Sequence, residues 1–61
     1  MKIIVSIIEN SPGGIASSED IIQEAEIKGI ESNRTEEALE RLKRDKYIFE
    51  ISEGRYKSNA N

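Results

Sequence analysis

Twelve carboxylates and nine lysine and arginine side chains carry whatever chemistry this 61-residue chain performs, because histidine and cysteine are both absent. Without histidine, the usual general base near neutral pH and the commonest transition-metal ligand are missing. Without cysteine there is no thiolate nucleophile, zinc–thiolate site or disulfide. What remains is ion pairing. The side chains suited to phosphate or carboxylate contact are Arg34, Arg41, Arg44 and Lys46, followed by Arg55 and Lys57. No carboxylate stands in a nucleophile–base pattern, and Asn10-Ser-Pro-Gly-Gly14 lacks the lysine and the strand–helix frame of a phosphate-binding loop. The expectation is a chain with no catalytic residue, no metal ligand and no cofactor of its own.

These charges are sorted along the chain. Residues 17–40 hold eight acids against Lys28 and Arg34, whereas residues 41–61 hold six bases against Asp45, Glu50 and Glu53. The apolar spacing says which elements carry them. In Lys2–Glu9 the polar residues Lys2, Ser6 and Glu9 leave Ile3, Ile4, Ile7 and Ile8 as one helical stripe. That helix starts abruptly, with no capping residue, as expected of a segment taken from a longer protein. Turn chemistry follows, and Ile15-Ala16 is a candidate short strand. Ser17 is placed to cap a second helix, with Ile21, Ile22 and Ala25 facing inward. Gly29 suits the left-handed residue of a helix stop, and Ile30 can fold back onto the last turn.

Asn33-x-x-Glu36 predicts the cap of a third helix, with Ala38, Leu39 and Leu42 inward and Glu37–Arg41 and Glu40–Arg44 as i, i+4 ion pairs. Asn33-Arg34-Thr35 also spells a glycosylation sequon, but capping accounts for Asn33. From Tyr47 the period shortens toward two. Strands are expected near Tyr47–Ile51 and Arg55–Ser58, turned by Ser52-Glu53-Gly54, with Ile48 and Tyr56 meeting the core. Phe49 and Ile51 fall on the opposite face, which must then be covered or exposed. Ile27 falls off the inward stripe of its helix and is a candidate partner contact. The fold class is therefore α+β: a winged helix-turn-helix of three helices with a small antiparallel sheet and a β-hairpin wing. Residues 1–57 form the domain and 58–61 a disordered polar tail.

Winged helices that read DNA put the N-terminal half of the third helix into the major groove. Here that half presents Arg34, Thr35, Glu36, Glu37 and Glu40. Three carboxylates facing a polyanion repel it, so specific reading is disfavoured while weak non-specific contact through the basic end stays open. The bases toward the helix C-terminus are also explained as complements of its negative end.

The run GIESNRTEEALERLKRDKYIFEISEGRYK resembles the C-terminal winged-helix domain of archaeal minichromosome maintenance replicative helicases. The matching parts are Gly29-Ile30-Glu31, the spacing to Leu39 and Leu42, Ile48-Phe49-Glu50, and Tyr56 before Lys57. A departure is Asp45-Lys46-Tyr47, where winged helices often carry glycine. The resemblance spans roughly Ile3 to Lys57 and implies a tethered appendage that modulates a hexameric helicase, whose ATP and Mg would lie in its core. The implied partners are that core and an origin-binding or loader protein. The setting would be cytoplasmic and nucleoid-associated, with no membrane contact, and the isolated domain would be a monomer. The alternative is a small winged-helix transcription regulator. A third reading, a dimerising scaffold, depends on Phe49, Ile51 and Ile27 being exposed.

Overall fold

The computed structural model describes residues 2–59, and within them the chain is α+β. Helix α1 covers Lys2–Glu9, strand β1 Ile15–Ser17, helix α2 Ser18–Ile27 and helix α3 Ser32–Arg44; strands β2 (Ile48–Ser52) and β3 (Arg55–Ser58) close the order. A turn of 3-10 helix over Pro12–Gly14 leads into β1. The sheet is antiparallel with spatial order β1-β3-β2, so the hairpin strand β3 lies in the middle. Three helices and a three-stranded sheet follow one another as the winged helix-turn-helix expectation requires.

Each helix contributes a stripe to one core. Ile4, Ile7 and Ile8 of α1 meet Ile21 and Ala25 of α2, and Ala38, Leu39 and Leu42 of α3, with Ala16 and Ile48 from the sheet. Val5, Ile30 and Tyr56 close its margin. Burying an aliphatic side chain of this size is worth roughly 2 kcal/mol of gross transfer energy, so the isoleucines dominate the driving force. Ile3, expected in the first stripe, is instead 42% exposed, because the buried face is centred on Ile4 and Ile8 and extends toward Val5, leaving Ile3 at its far edge.

Both later helices end in the same way. After α2, Gly29 adopts φ 88°, its N–H donates to Glu26 O at 2.9 Å, and the N–H of Ile30 donates to Ala25 O at 2.9 Å. This pair of bonds satisfies the orphan carbonyls of the last turn and brings Ile30 onto the core. After α3 the pattern repeats with Lys46 at φ 66°, its N–H on Lys43 O and that of Tyr47 on Leu42 O. A lysine therefore stands in a left-handed conformation that glycine adopts without penalty. The glycine missing from the sequence at this place is missing a role that the backbone still performs.

The start of α2 follows its sequence signal: Ser17 Oγ accepts from Asp20 N at 3.2 Å. The start of α3 does not. It begins at Ser32 with Glu31 as the cap residue, and Asn33 lies inside the first turn, its Oδ1 accepting only from the adjacent Arg34 N. Thr35 decides this register. Its N–H and hydroxyl both donate to Glu31 O, at 3.0 and 3.2 Å, which closes the first helical turn two residues ahead of the expected cap.

Strand β2 begins at Ile48, one residue later than the sequence suggests, because Tyr47 is spent on the helix stop. A bulge at Ile51 shifts the hairpin register: Glu50 faces Tyr56 while Ser52 already faces Arg55. The first two residues of the expected tail make bonds back to the domain. Ser58 pairs with Ile48, and Asn59 donates from its N–H to Tyr47 O (2.8 Å) and from its amide to Lys46 O (2.9 Å). Residues 60 and 61 lie outside the described part. No helix among the described residues is long and apolar enough to cross a membrane.

Candidate interaction surfaces on α3 and the wing

Burial sorts the residues of α3. Thr35, Ala38, Leu39 and Leu42, spaced i, i+3, i+4, i+7, form its inward stripe. Thr35 is fully buried, so the expectation that it faces outward on the recognition half is overturned. Its hydroxyl is satisfied by Glu31 O, which lets a polar side chain sit in the core. The spacing i, i+3, i+4, i+7 carried this signal in the sequence itself.

The rest of α3 faces solvent in two flanks. Arg34, Arg41 and Arg44, spaced i, i+7, i+10, line an open concavity of about 730 Å³ with Glu37, Ala38, Glu40, Leu42, Asp45 and Tyr47. That volume is in the range of small-molecule pockets, but such pockets are enclosed and mainly apolar. This one is a shallow trough with three guanidinium groups and three carboxylates along its wall. Glu36 lies away from the trough, exposed like Glu37 and Glu40. Arg41 and Arg44 stand in the last turn of α3, as the sequence indicated, and Arg34 extends them into a stripe along the helix.

The i, i+4 pairs Glu37–Arg41 and Glu40–Arg44 do not close. The ion pair among the described residues is Lys43 Nζ with Glu50 Oε1, at 3.4 Å, tying α3 to β2. The other oxygen of Glu50 accepts from Gly54 N at 3.0 Å, across the hairpin turn. The Gly54 N–H, and then Lys43, hold the Glu50 carboxyl below the usual carboxylate range. Glu50, through its hydrogen bond and charge, raises Lys43 above the usual lysine value. Sequence reasoning missed this staple, although strand alternation places Glu50 on the same face as Ile48.

The tip of the wing is also anchored. Gly54 O accepts from Ser18 N at 2.8 Å, satisfying one of the free amides at the start of α2. The turn therefore lies on the body of the domain instead of projecting from it.

The outward face of the sheet is set by register. Ile15, Lys57 and Phe49 stand abreast on β1, β3 and β2, with Ser17 and Arg55 paired two positions along. Phe49 is 44% and Ile51 50% exposed, and Arg55 and Lys57 are exposed. Ile27, at the end of α2, is 79% exposed. The sequence-predicted contact residues consequently fall into separate places. Arg34, Arg41 and Arg44 share the α3 trough, Arg55 and Lys57 the sheet face, Lys46 the stop between α3 and β2, and Ile27 the far end of α2.

No group of three or more carboxylates is arranged to hold a metal ion among the described residues. No family model matches the chain, and no curated protein or solved structure matches it either.

Proposed function

We propose that this domain is a regulatory winged-helix module that works by protein contact, with at most weak, non-specific contact to DNA. The observation that carries this reading is the exposure of Glu36, Glu37 and Glu40 on the helix that would have to enter the major groove. None of the three forms an ion pair among the described residues, so their carboxylates stay available to repel a polyanion, with the trough arginines offsetting part of the charge of Glu37 and Glu40. The anchored wing tip supports the same reading, since Glu53-Gly54 lies against the start of α2 and offers Glu53 rather than a base to a phosphate. The resemblance to minichromosome maintenance helicases supplies the setting: an appendage tethered to an ATP-dependent replicative helicase, touching its core or a loader protein. The arginine trough favours the second reading, a small DNA-binding regulator, because three guanidinium groups in line can follow a phosphate backbone.

Titrating the 15N-labelled chain with duplex DNA at low salt separates the two. The protein-contact reading expects shifts that remain far from saturation at about 1 mM DNA, while adding a helicase core of the minichromosome maintenance type moves α3 and wing amides. A dissociation constant in the micromolar range that weakens steeply with salt overturns it in favour of the regulator.

A further inference from the structure

Two exposed surfaces, the outward sheet face and one side of α2, are complementary. The outward sheet face sets Phe49 and Ile51 beside Arg55 and Lys57, and neither base has a carboxylate partner among the described residues. Glu53 at the hairpin turn and Glu50 between Phe49 and Ile51 are the acids close to it in sequence, and Glu50 is turned to the other face, where Lys43 and the Gly54 N–H hold it. On α2, Asp20, Gln23, Glu24 and Ile27 are spaced i, i+3, i+4, i+7 and all are exposed, which makes a ridge flanking the buried Ile21 and Ala25, with Lys28 the one base at its C-terminal end. Ile27, 79% exposed, is the apolar end of that acidic ridge. One surface is apolar with cations, and the other is apolar with anions.

We infer that the outward sheet face of one copy binds the α2 ridge of a second copy, head to tail. Ile27 seats against Phe49 and Ile51, while Asp20 and Glu24 meet Arg55 and Lys57. Like-on-like pairing of either surface would oppose cation to cation or carboxylate to carboxylate, so the contact is between different patches on the two molecules. Both patches are small, which makes the association weak and dependent on concentration. The inference rests on these residues alone and stands apart from the regulatory reading.

The test uses the chain itself. In 15N spectra from about 0.05 to about 2 mM, amide shifts are expected to move at both patches, around Phe49 to Lys57 and around Asp20 to Ile27, and to move less as salt rises. The variants Phe49→Asp and Ile27→Asp each lose the concentration dependence. Their exposed positions leave the fold intact, which unchanged spectral dispersion verifies. Mixing the two restores shifts, at the α2 ridge of Phe49→Asp and at the sheet face of Ile27→Asp, because each variant keeps the surface the other lacks. Lys57→Glu weakens association at least several-fold, and adding Glu24→Lys restores it. Spectra independent of concentration overturn the inference. So do shifts confined to one patch, or a mixture that fails to associate.

Discussion

Lys46 shows most directly how a single residue can be at odds with its local conformation. At φ 66° it performs the stop that Gly29 performs after α2, yet it carries a side chain that this region penalises. Lys46→Gly is therefore expected to stabilise the domain by about 1 kcal/mol, the left-handed penalty less the added freedom of the unfolded glycine. A shift of the urea midpoint to higher concentration checks it, and an unchanged or lower midpoint refutes the strain argument. Thr35 is the opposite case, a polar residue fully at home in the core. Thr35→Ala removes a buried methyl and the hydroxyl bond to Glu31 O, for an expected loss of about 1–2 kcal/mol. Were it an exposed position of the recognition helix, the same change would be nearly neutral to stability. Equilibrium unfolding of the variant distinguishes these outcomes.

At the scale of elements, the wing is held by Glu50 rather than by its own length. Two short strands make a marginal hairpin in isolation. Here Glu50 joins the turn amide of Gly54 to Lys43 on α3, and Gly54 O joins the turn to the start of α2. Because Glu50 titrates below the ordinary glutamate value when folded, its stabilising contribution is complete above that ordinary value and is lost as the pH falls through the lowered one. The contribution linked to Lys43 has the opposite sign: it is complete below the ordinary lysine value and lost as pH rises through the raised one. Acidification below about pH 4 is thus expected to move the Gly54 amide resonance and loosen the wing before the helices melt. In Glu50→Gln the acid step at Gly54 disappears. A Gly54 resonance that titrates identically in both proteins would show that the staple is not formed in solution.

For the whole molecule, the sorting of charge along the chain becomes a sorting of surfaces. Acids of residues 17–40 appear on the α2 ridge and along α3, and four of the six later bases divide between the α3 trough and the outward sheet face, with Lys43 on Glu50 and Lys46 at the stop after α3. A domain arranged in this way presents different chemistry on different sides, which suits contact with proteins better than wrapping a uniform polyanion. The DNA titration and the mixing of Phe49→Asp with Ile27→Asp examine different sides of the molecule. Either can fail without the other.

The helices, their order, the stop at Gly29 and the short strand before α2 were legible in the chain because each depends on neighbours within one or two turns. Spacing placed Ile21, Ala25, Leu39 and Leu42 inward, and period two placed Phe49 and Ile51 on the face opposite Ile48. The cap at Asn33 and the pairs Glu37–Arg41 and Glu40–Arg44 were also local expectations, but tertiary contacts outbid them. Burial of Thr35 set the helix start, and the approach of β2 gave Lys43 a partner in Glu50. Only folding could decide that the wing tip rests on Ser18, that Ser58 ends the central strand while Asn59 bonds back to Lys46 and Tyr47, and that Arg34, Arg41 and Arg44 share one trough with Tyr47. Periodicity reports which side of an element is apolar. It carries no information about which distant element will supply the partner for a charge or an amide, because that depends on how the packed layers meet.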